Sequence, residues 1–356
     1  MENHTRKSTR RIMLGQVPIG DGAPISIQSM LSVPTSDIEA CLAQIGELDK
    51  AGCEIIRVSV TSNEDAAAIA ALKAHTRMPI VADIHFDHRL ALAALNSGVD
   101  GLRLNPGNIG GRTEVEAVVK AAAEQAIPIR IGVNSGSLPK DLLASHGVCA
   151  HSMVEAALRH VRILEELNYF NIKISVKASH LPLMVESYRL LSSKVDYPLH
   201  LGITESGSML RGTVKSSMAL AILLREGIGD TIRVSLTAPP VQEVIVAREI
   251  LKGLELRQGL NLISCPTCGR TKVKLFELVE QVEQALIPYE DLPLTIAVMG
   301  CAVNGPGEAR EADYGIAGGD GEGLIFARGE IVKKVPESRL VAELLELIKA
   351  GFPLDF

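Results

Sequence analysis

Between residues 24 and 253 the chain alternates between two hydrophobic rhythms. Short runs rich in Ile, Val and Leu, with apolar residues at every second position, occupy 24–28, 54–60, 79–84, 100–105, 128–133, 171–176, 198–203 and 230–236. They are followed by stretches with helical spacing of apolar positions, at 38–51, 64–75, 88–98, 114–125, 152–167, 181–194, 214–225 and 242–253. Strands that alternate with helices pair in parallel, and eight such units in about 230 residues predict a closed (β/α)8 TIM barrel. A doubly wound open sheet is the alternative. It carries a Gly-rich phosphate loop after its first strand, and none is present here. The glycine clusters at 107–111 and 318–323 are read as turns.

Six of the eight runs break their apolar rhythm with a cation or a histidine: Arg57, Arg103, Arg130, Lys173, His200 and Arg233. Side chains alternate faces along a strand, so these residues point away from Ile56 and Val58, Leu102 and Leu104, Ile129 and Ile131, and their counterparts. If the apolar set faces the helices, the charged set faces the barrel interior, together with Ser59, Asn105, Ser175, Thr204 and Ser235. Barrel interiors are ordinarily packed with branched apolar side chains. Buried charge requires partners, either internal carboxylates such as Asp83 and Glu205 or an anionic ligand. The acids on these faces are too few to neutralise the set, which favours a ligand, and guanidinium forks suit phosphate oxygens. A barrel's active mouth lies at the C-terminal ends of its strands, which singles out Ser59, Asp83, His85, Asn105, Asn134, Lys177, Thr204, Glu205 and Ser235.

The pattern changes after residue 255. A helix over 272–286, strands at 294–298, 314–317, 323–327 and 330–335, and a closing helix at 338–350 predict a small α+β module. The domains are therefore expected at 1–255 and 264–356. The module opens on Ser264-Cys265-Pro266-Thr267-Cys268-Gly269-Arg270, and a third cysteine follows in Met299-Gly300-Cys301-Ala302-Val303-Asn304-Gly305-Pro306-Gly307-Glu308. Two thiols separated by two residues, with a third beyond, read as a metal or iron–sulfur site. The spacing does not choose between them. A structural zinc site takes four ligands, and no His follows His200. An iron–sulfur cube on three Cys leaves one iron open, with Glu308 the nearest candidate for that position. The Cys pair is expected to open the helix, where the dipole favours thiolate charge.

Composition narrows the function classes. With 356 residues, 47% hydrophobic, the chain has enough apolar content for one large core and a smaller one. Lys and Arg number 36 against 42 Asp and Glu, a net charge of -6, which disfavours nucleic acid or an anionic membrane as partner. Aromatic residues make up 3% and Trp is absent, so stacking platforms for single-stranded nucleic acid are not expected. No apolar run is long enough to cross a bilayer, and residues 1–11 read as a loose, solvated tail rather than a secretory signal, which points to the cytoplasm. Cys41, Cys53 and Cys149 are read as small core residues.

The two cysteine segments resemble the cluster motifs of the iron–sulfur hydroxymethylbutenyl diphosphate synthases of the non-mevalonate isoprenoid pathway, and the resemblance extends over nearly the whole chain. It implies a [4Fe-4S] cluster on Cys265, Cys268 and Cys301, with Glu308 as an exchangeable fourth ligand. It further implies that Arg57, Arg103, Arg130, Asn134, Lys177, Thr204 and Ser235 hold the diphosphate of a cyclic substrate, 2-C-methyl-D-erythritol 2,4-cyclodiphosphate. Glu205 matches a carboxylate placed to handle a proton, and Asp83 with His85 matches a second polar pair near the reacting carbons. Electrons would come from ferredoxin or flavodoxin. A barrel's chain emerges opposite its mouth, and residues 253–263 span only about 35 Å when extended. With the resemblance, this implies a head-to-tail homodimer whose active site lies between subunits. The contrasting reading is a redox-neutral, phosphate-binding lyase or aldolase with a structural metal module.

Overall fold

The computed structural model describes residues 6–301 and 310–353. The chain forms two compact units, Met1–Leu256 and Arg257–Phe356. The first begins with a hairpin of β1 (Ile12–Leu14) and β2 (Val17–Ile19). Eight strands follow: β3 (Ser26–Met30), β4 (Ile55–Ser59), β5 (Ile80–Asp83), β6 (Gly101–Arg103), β7 (Ile129–Asn134), β8 (Ile172–Lys177), β9 (His200–Leu201) and β10 (Thr231–Ile232). They pair in parallel in the order β8-β7-β6-β5-β4-β3-β10-β9. A bridge between Ile174 and Leu199, with Ile174 N–H donating to Pro198 O at 3.0 Å, brings the ends of the ladder together. The unit is a (β/α)8 barrel.

The surrounding helices are α1 (Ile38–Lys50), α2 (Asn63–His75), α3 (His88–Asn96), α4 (Arg112–Glu124), α5 (Lys140–His146), α6 (Ala150–Glu166), α7 (Leu181–Ser192), α8 (Met209–Arg225) and α9 (Pro240–Gly253). Their starts follow local chemistry: the Asp37, Ser62 and Asp87 side chains accept from the backbone N–H groups of Ala40, Asp65 and Arg89 and satisfy donors that the helix leaves unpaired. The alternation read from the sequence is realised in space. Ile56, Val58, Ile129, Ile131, Ile172 and Ile174 are fully buried in one apolar core with the inner faces of the helices. Helix α5 was not expected, because one seven-residue helix shows too few turns for a period to register.

The tail reading is corrected for the described residues. Arg6 Nη2 donates to Asp230 Oδ1 at 2.6 Å, Thr9 Oγ1 donates to the same oxygen at 3.0 Å, and Lys7 Nζ reaches Val195 O at 2.7 Å. Arg10 pairs with Asp196 and stacks over Tyr197. The basic segment is tied down because Asp196 and Asp230 lie on the turns that enter β9 and β10. Behind it, Ile12, Leu14 and Ile19 of the hairpin pack on Ile55 and Val81 and seal the end of the barrel at which its strands begin.

The second unit is a five-stranded mixed sheet in the order β11 (Asn261–Ser264), β12 (Thr295–Met299), β13 (Tyr314–Gly318), β14 (Glu322–Ala327), β15 (Glu330–Pro336). The first three strands pair in parallel and the last two antiparallel. Helices α10 (Leu275–Leu286) and α11 (Leu340–Gly351) bury Leu278, Val282, Leu286, Leu344 and Ile348 against Ile296, Val298 and Ile316. Helix α10 begins seven residues beyond Cys268, so the Cys pair follows strand β11 and does not open the helix. No helix among the described residues is long and apolar enough to cross a membrane.

Leu14 is 2% exposed within the hairpin seal. Leu14→Ala is expected to lower unfolding stability by about 2–4 kcal/mol, as for other fully buried leucines, measured as a shift in the urea midpoint at unchanged slope. The strand-end cavity should be unaffected, so an anion-binding titration on the folded variant should match the parent.

Candidate functional site

At the strand ends a cavity of about 200 Å³ is lined by Arg57, Asp83, His85, Arg103, Arg130, Asn134, Ser175, Lys177, Thr204, Arg233 and Ser235. The barrel delivers these side chains from strands β4 to β10 and the turns after them. Two glycines make the room. A Cβ on Gly132 would stand 2.6 Å from Arg103 Nε, and one on Gly202 would stand 3.0 Å from Lys177 Nζ and 2.6 Å from Arg233 O. The long cations therefore lie across neighbouring strands at positions where the backbone is bare.

One carboxylate faces this group. Asp83 Oδ1 accepts from Arg103 Nη1 at 3.1 Å, and Oδ2 lies 3.8 Å from Arg57 Nε and 3.4 Å from His85 Nε2. Burial opposes its ionisation, but the His85 hydrogen bond and the Arg57, Arg103 and Arg130 charges outweigh burial and hold it far below the usual carboxylate range. Arg103 also donates to Gly132 O at 2.8 Å, and Arg130 Nη1 donates to Ser175 Oγ at 2.7 Å. Arg130 keeps two buried donors, Nε and Nη2, without a hydrogen-bond partner.

The second internal carboxylate comes from a helix. Glu243 Oε2, in the first turn of α9, lies 3.4 Å from Arg233 Nε and accepts from Ser29 Oγ at 3.2 Å, while Oε1 accepts from the Leu236 N–H at 3.0 Å. Glu205 does not serve as that acid. It is exposed, sits at φ 53° and is not part of the cavity wall. Two cavity-lining residues outside the expected site set, Arg233 and Ser175, were legible as inward-facing strand positions; Glu243 carried no such signal.

The cations repel one another. Burial, then the Arg233 charge, lowers the Arg57 pKa to about 9 despite Asp83. Burial and the surrounding arginines push Arg130 and Lys177 well below their ordinary values. Lys173 and His200 are buried and lie outside the cavity lining; burial and Arg130 bring Lys173 to about 7. A polyanion in the cavity would relieve this repulsion.

In the second unit, Cys265 follows β11 and Cys301 follows β12 by two residues, and these strands are parallel neighbours paired Ser264 to Val298. The Gly300 N–H donates to Cys265 Sγ at 3.1 Å. The turn carrying Cys268 is pinned beside them: Cys268 N–H donates to Thr271 Oγ1 at 3.1 Å, and Lys272 N–H to Gly300 O at 3.1 Å. The Arg270 backbone N–H, and then the Arg270 side chain, lower the Cys268 pKa, so local donors rather than a helix dipole favour the thiolate. All three thiols are free, with Cys268 exposed. Among the described residues no three His, Cys, Asp or Glu side chains are grouped as a single-ion site. Glu308 lies outside the described residues. Cys41 and Cys53 are buried in the barrel, whereas Cys149 is half-buried and its thiol caps α6.

Residues 9–248 match the GcpE TIM-barrel domain and residues 261–350 the GcpE protein C-terminal domain. The chain is 58% identical over 342 residues to the 4-hydroxy-3-methylbut-2-en-1-yl diphosphate synthase (flavodoxin) of Geobacter sulfurreducens, covering 96% of this chain and 97% of that protein. Proteins of the same name from Thermodesulfovibrio yellowstonii and Clostridium perfringens are 55% and 54% identical, each over 97% of this chain and 99% of the relative. Among solved structures, a type I 3-dehydroquinate dehydratase from Clostridium difficile is similar in fold, with a TM-score of 0.51 at 16% identity over 70% of this chain and 97% of that one.

Asp83→Asn would remove the carboxylate shared by Arg57 and Arg103. Breaking a buried ion pair from one side costs about 3–5 kcal/mol, and denaturant unfolding at neutral pH should show a loss of that order. Inorganic pyrophosphate at about 100 times its dissociation constant should restore roughly 2.7 kcal/mol. An Asp83→Asn variant as stable as the parent would mean that the cations are compensated elsewhere.

Proposed function

We propose a reaction for this chain from one premise: it belongs to the GcpE family, matched by both of its units and sharing more than half its residues with the synthases above. The reaction is the reductive ring opening of 2-C-methyl-D-erythritol 2,4-cyclodiphosphate to 4-hydroxy-3-methylbut-2-enyl diphosphate, a step of isoprenoid precursor biosynthesis. Counted on the neutral acids, two electrons and two protons enter and one water leaves. The observation that carries the reading is the cavity in which Arg57, Arg103, Arg130, Lys177 and Arg233 face one carboxylate, Asp83. At about 200 Å³ it is smaller than the roughly 300–1,000 Å³ of sites for drug-sized ligands and suits a compact diphosphate.

Arg57, Arg103, Arg130 and Lys177 bind the diphosphate oxygens, and Asn134, Thr204 and Ser235 supply neutral hydrogen-bonding groups around them. The free Nε and Nη2 donors of Arg130 support its place in this set. Asp83 keeps Arg57 and Arg103 aimed at the cavity and holds His85 beside the reacting carbons. Glu205, exposed at the strand-end turn, handles a proton from outside the described cavity wall.

The residues of the second unit fit a [4Fe-4S] cluster. Cys265, Cys268 and Cys301 are soft sulfur donors carried by two neighbouring strand ends and one turn, and a backbone N–H already points at one sulfur. Glu308 is the proposed fourth ligand. When bound, the cluster would supply electrons singly and a Lewis-acidic iron. The donor is flavodoxin, as the relatives' names have it, or ferredoxin, and the reaction is placed in the cytoplasm.

The site is proposed to form between subunits of a head-to-tail homodimer. Residues 261–264 belong to strand β11, and Leu260 N–H is bonded to Glu290 O, so the free tether is shorter than the 253–263 stretch suggested. A shorter tether supports sites completed by the partner chain.

Anaerobic turnover of the cyclic diphosphate with a chemical reductant tests the reading. Cluster-loaded protein should give the hydroxymethylbutenyl product, and Cys301→Ser should lose at least about 100-fold in rate together with its visible iron–sulfur absorption. No product from loaded protein would remove the assignment. For the dimer, mixed Cys265→Ala and Glu205→Ala chains should regain part of the activity that each lacks; no recovery after subunit exchange would favour sites within one chain.

A further inference from the structure

A buried hydrogen-bonded chain runs from the cavity wall to the neighbouring strands. Lys177 Nζ lies 3.3 Å from His200 Nε2, and His200 Nδ1 lies 2.6 Å from Thr231 Oγ1. His200 and Thr231 are fully buried and Lys177 is 6% exposed. The three residues come from β8, β9 and β10, and His200 and Thr231 are register partners. The main chain is fixed as well: Tyr188 Oη donates to His200 O at 2.6 Å and accepts from the Val176 N–H at 3.3 Å.

Chemistry settles the direction of the chain. Burial and the surrounding cations lower the Lys177 pKa, and an anion in the cavity favours its ammonium form, which carries donors only; in that form the contact requires Nε2 free of a proton. The ring proton then sits on Nδ1, where the Thr231 hydroxyl accepts it. A doubly protonated ring would set one more cation among Lys177, Arg130, Lys173, Arg57, Arg103 and Arg233, with Asp83 and Glu243 as the internal carboxylates. Burial, followed by Lys177 and Arg130, accordingly holds His200 well below the usual histidine range.

The partner of Lys177 is thus a neutral imidazole, whereas Arg103 and Arg233 have carboxylates beside them. A carboxylate would orient Lys177 and cancel its charge; an imidazole orients it and leaves the charge intact. We propose that His200 is a positioning residue: anchored on Thr231 as the Nδ1-protonated neutral ring, it aims Lys177 Nζ into the cavity and puts no counter-charge beside it, leaving the ammonium to pair with the diphosphate. The identity of that anion rests on the function proposed above; the geometry of the chain does not.

The test uses full-length, cluster-loaded protein and two variants, His200→Gln, whose amide oxygen can still accept from Lys177, and His200→Leu, which cannot. Loss of a hydrogen bond that orients a charged group predicts that His200→Leu binds inorganic pyrophosphate about tenfold or more weakly, whereas His200→Gln stays within about threefold of the parent. In turnover the Leu variant should raise KM more than it lowers kcat. Nitrogen NMR of histidine-labelled parent should show one Nδ1-protonated ring that stays neutral below the ordinary histidine pKa and that vanishes in both variants. Equal losses in folded Gln and Leu variants, parent-like binding by the Leu variant, or a His200 ring that protonates near the ordinary value would each overturn the proposal. Pyrophosphate binding and the ring tautomer do not depend on catalysis, so failure of the parent to turn over the cyclic diphosphate would sink the reductase reading alone.

Discussion

Like charges confined inside a parallel barrel are the constraint to which the first unit is built. Arg57, Arg103, Arg130, Lys177 and Arg233 share one cavity whose wall, among the described residues, contains the single carboxylate Asp83. Such a set is costly in the absence of an anion, because desolvation penalises each charge and the neighbours repel. The fold tolerates it through an uninterrupted apolar layer outside the strands, where Ile56, Val58, Ile129, Ile131, Ile172 and Ile174 are wholly excluded from water. Stability is supplied on one face of each strand and given up on the other, and the sacrifice is what makes the interior attractive to a polyanion.

The same constraint explains why so much of the site was legible. A charged residue set between apolar neighbours in a strand is a strong signal, since only the inward face can receive it. Arg57, Arg103, Arg130, Asn134, Lys177, Thr204 and Ser235 all lie in one cavity wall, together with Asp83 and His85. What escaped reading has a common cause in backbone direction. Glu205 follows Thr204 directly, so strict alternation already sets it on the opposite face; it lies past the end of the strand, in the left-handed region at φ 53°, with its side chain exposed. Glu243 reaches the interior from the first turn of a helix, where a helical period cannot distinguish a capping acid from a buried counter-ion. The hairpin seal escaped because strands of three residues are shorter than any alternation that can be counted.

In the second unit, sequence separation concealed proximity that topology creates. Cys265 and Cys301 are far apart in the chain, yet β11 and β12 pair in parallel and both cysteines leave at the same end of the sheet. Strand β11 itself was unreadable, for its four residues are exposed or half-buried and show no clean alternation. With the strand missed, the cysteines were assigned to the start of the next helix, and the source of thiolate stabilisation was misplaced. The Arg270 backbone N–H and side chain perform that task locally for Cys268.

Separate units for the two chemistries follow from the charges themselves. Thiolates and guanidinium groups attract, and a single small core that held both would pair them with each other, consuming the donors meant for phosphate and the sulfurs meant for metal. The barrel keeps its cations rigid by packing them across bare glycines and against two carboxylates. The sheet places its sulfurs beyond strand ends, where, among the described residues, backbone amides, the Thr271 hydroxyl and the Arg270 side chain approach them. The barrel cations outnumber the two carboxylates beside them, and an anionic substrate that accepts electrons is the kind of molecule that both sets can serve.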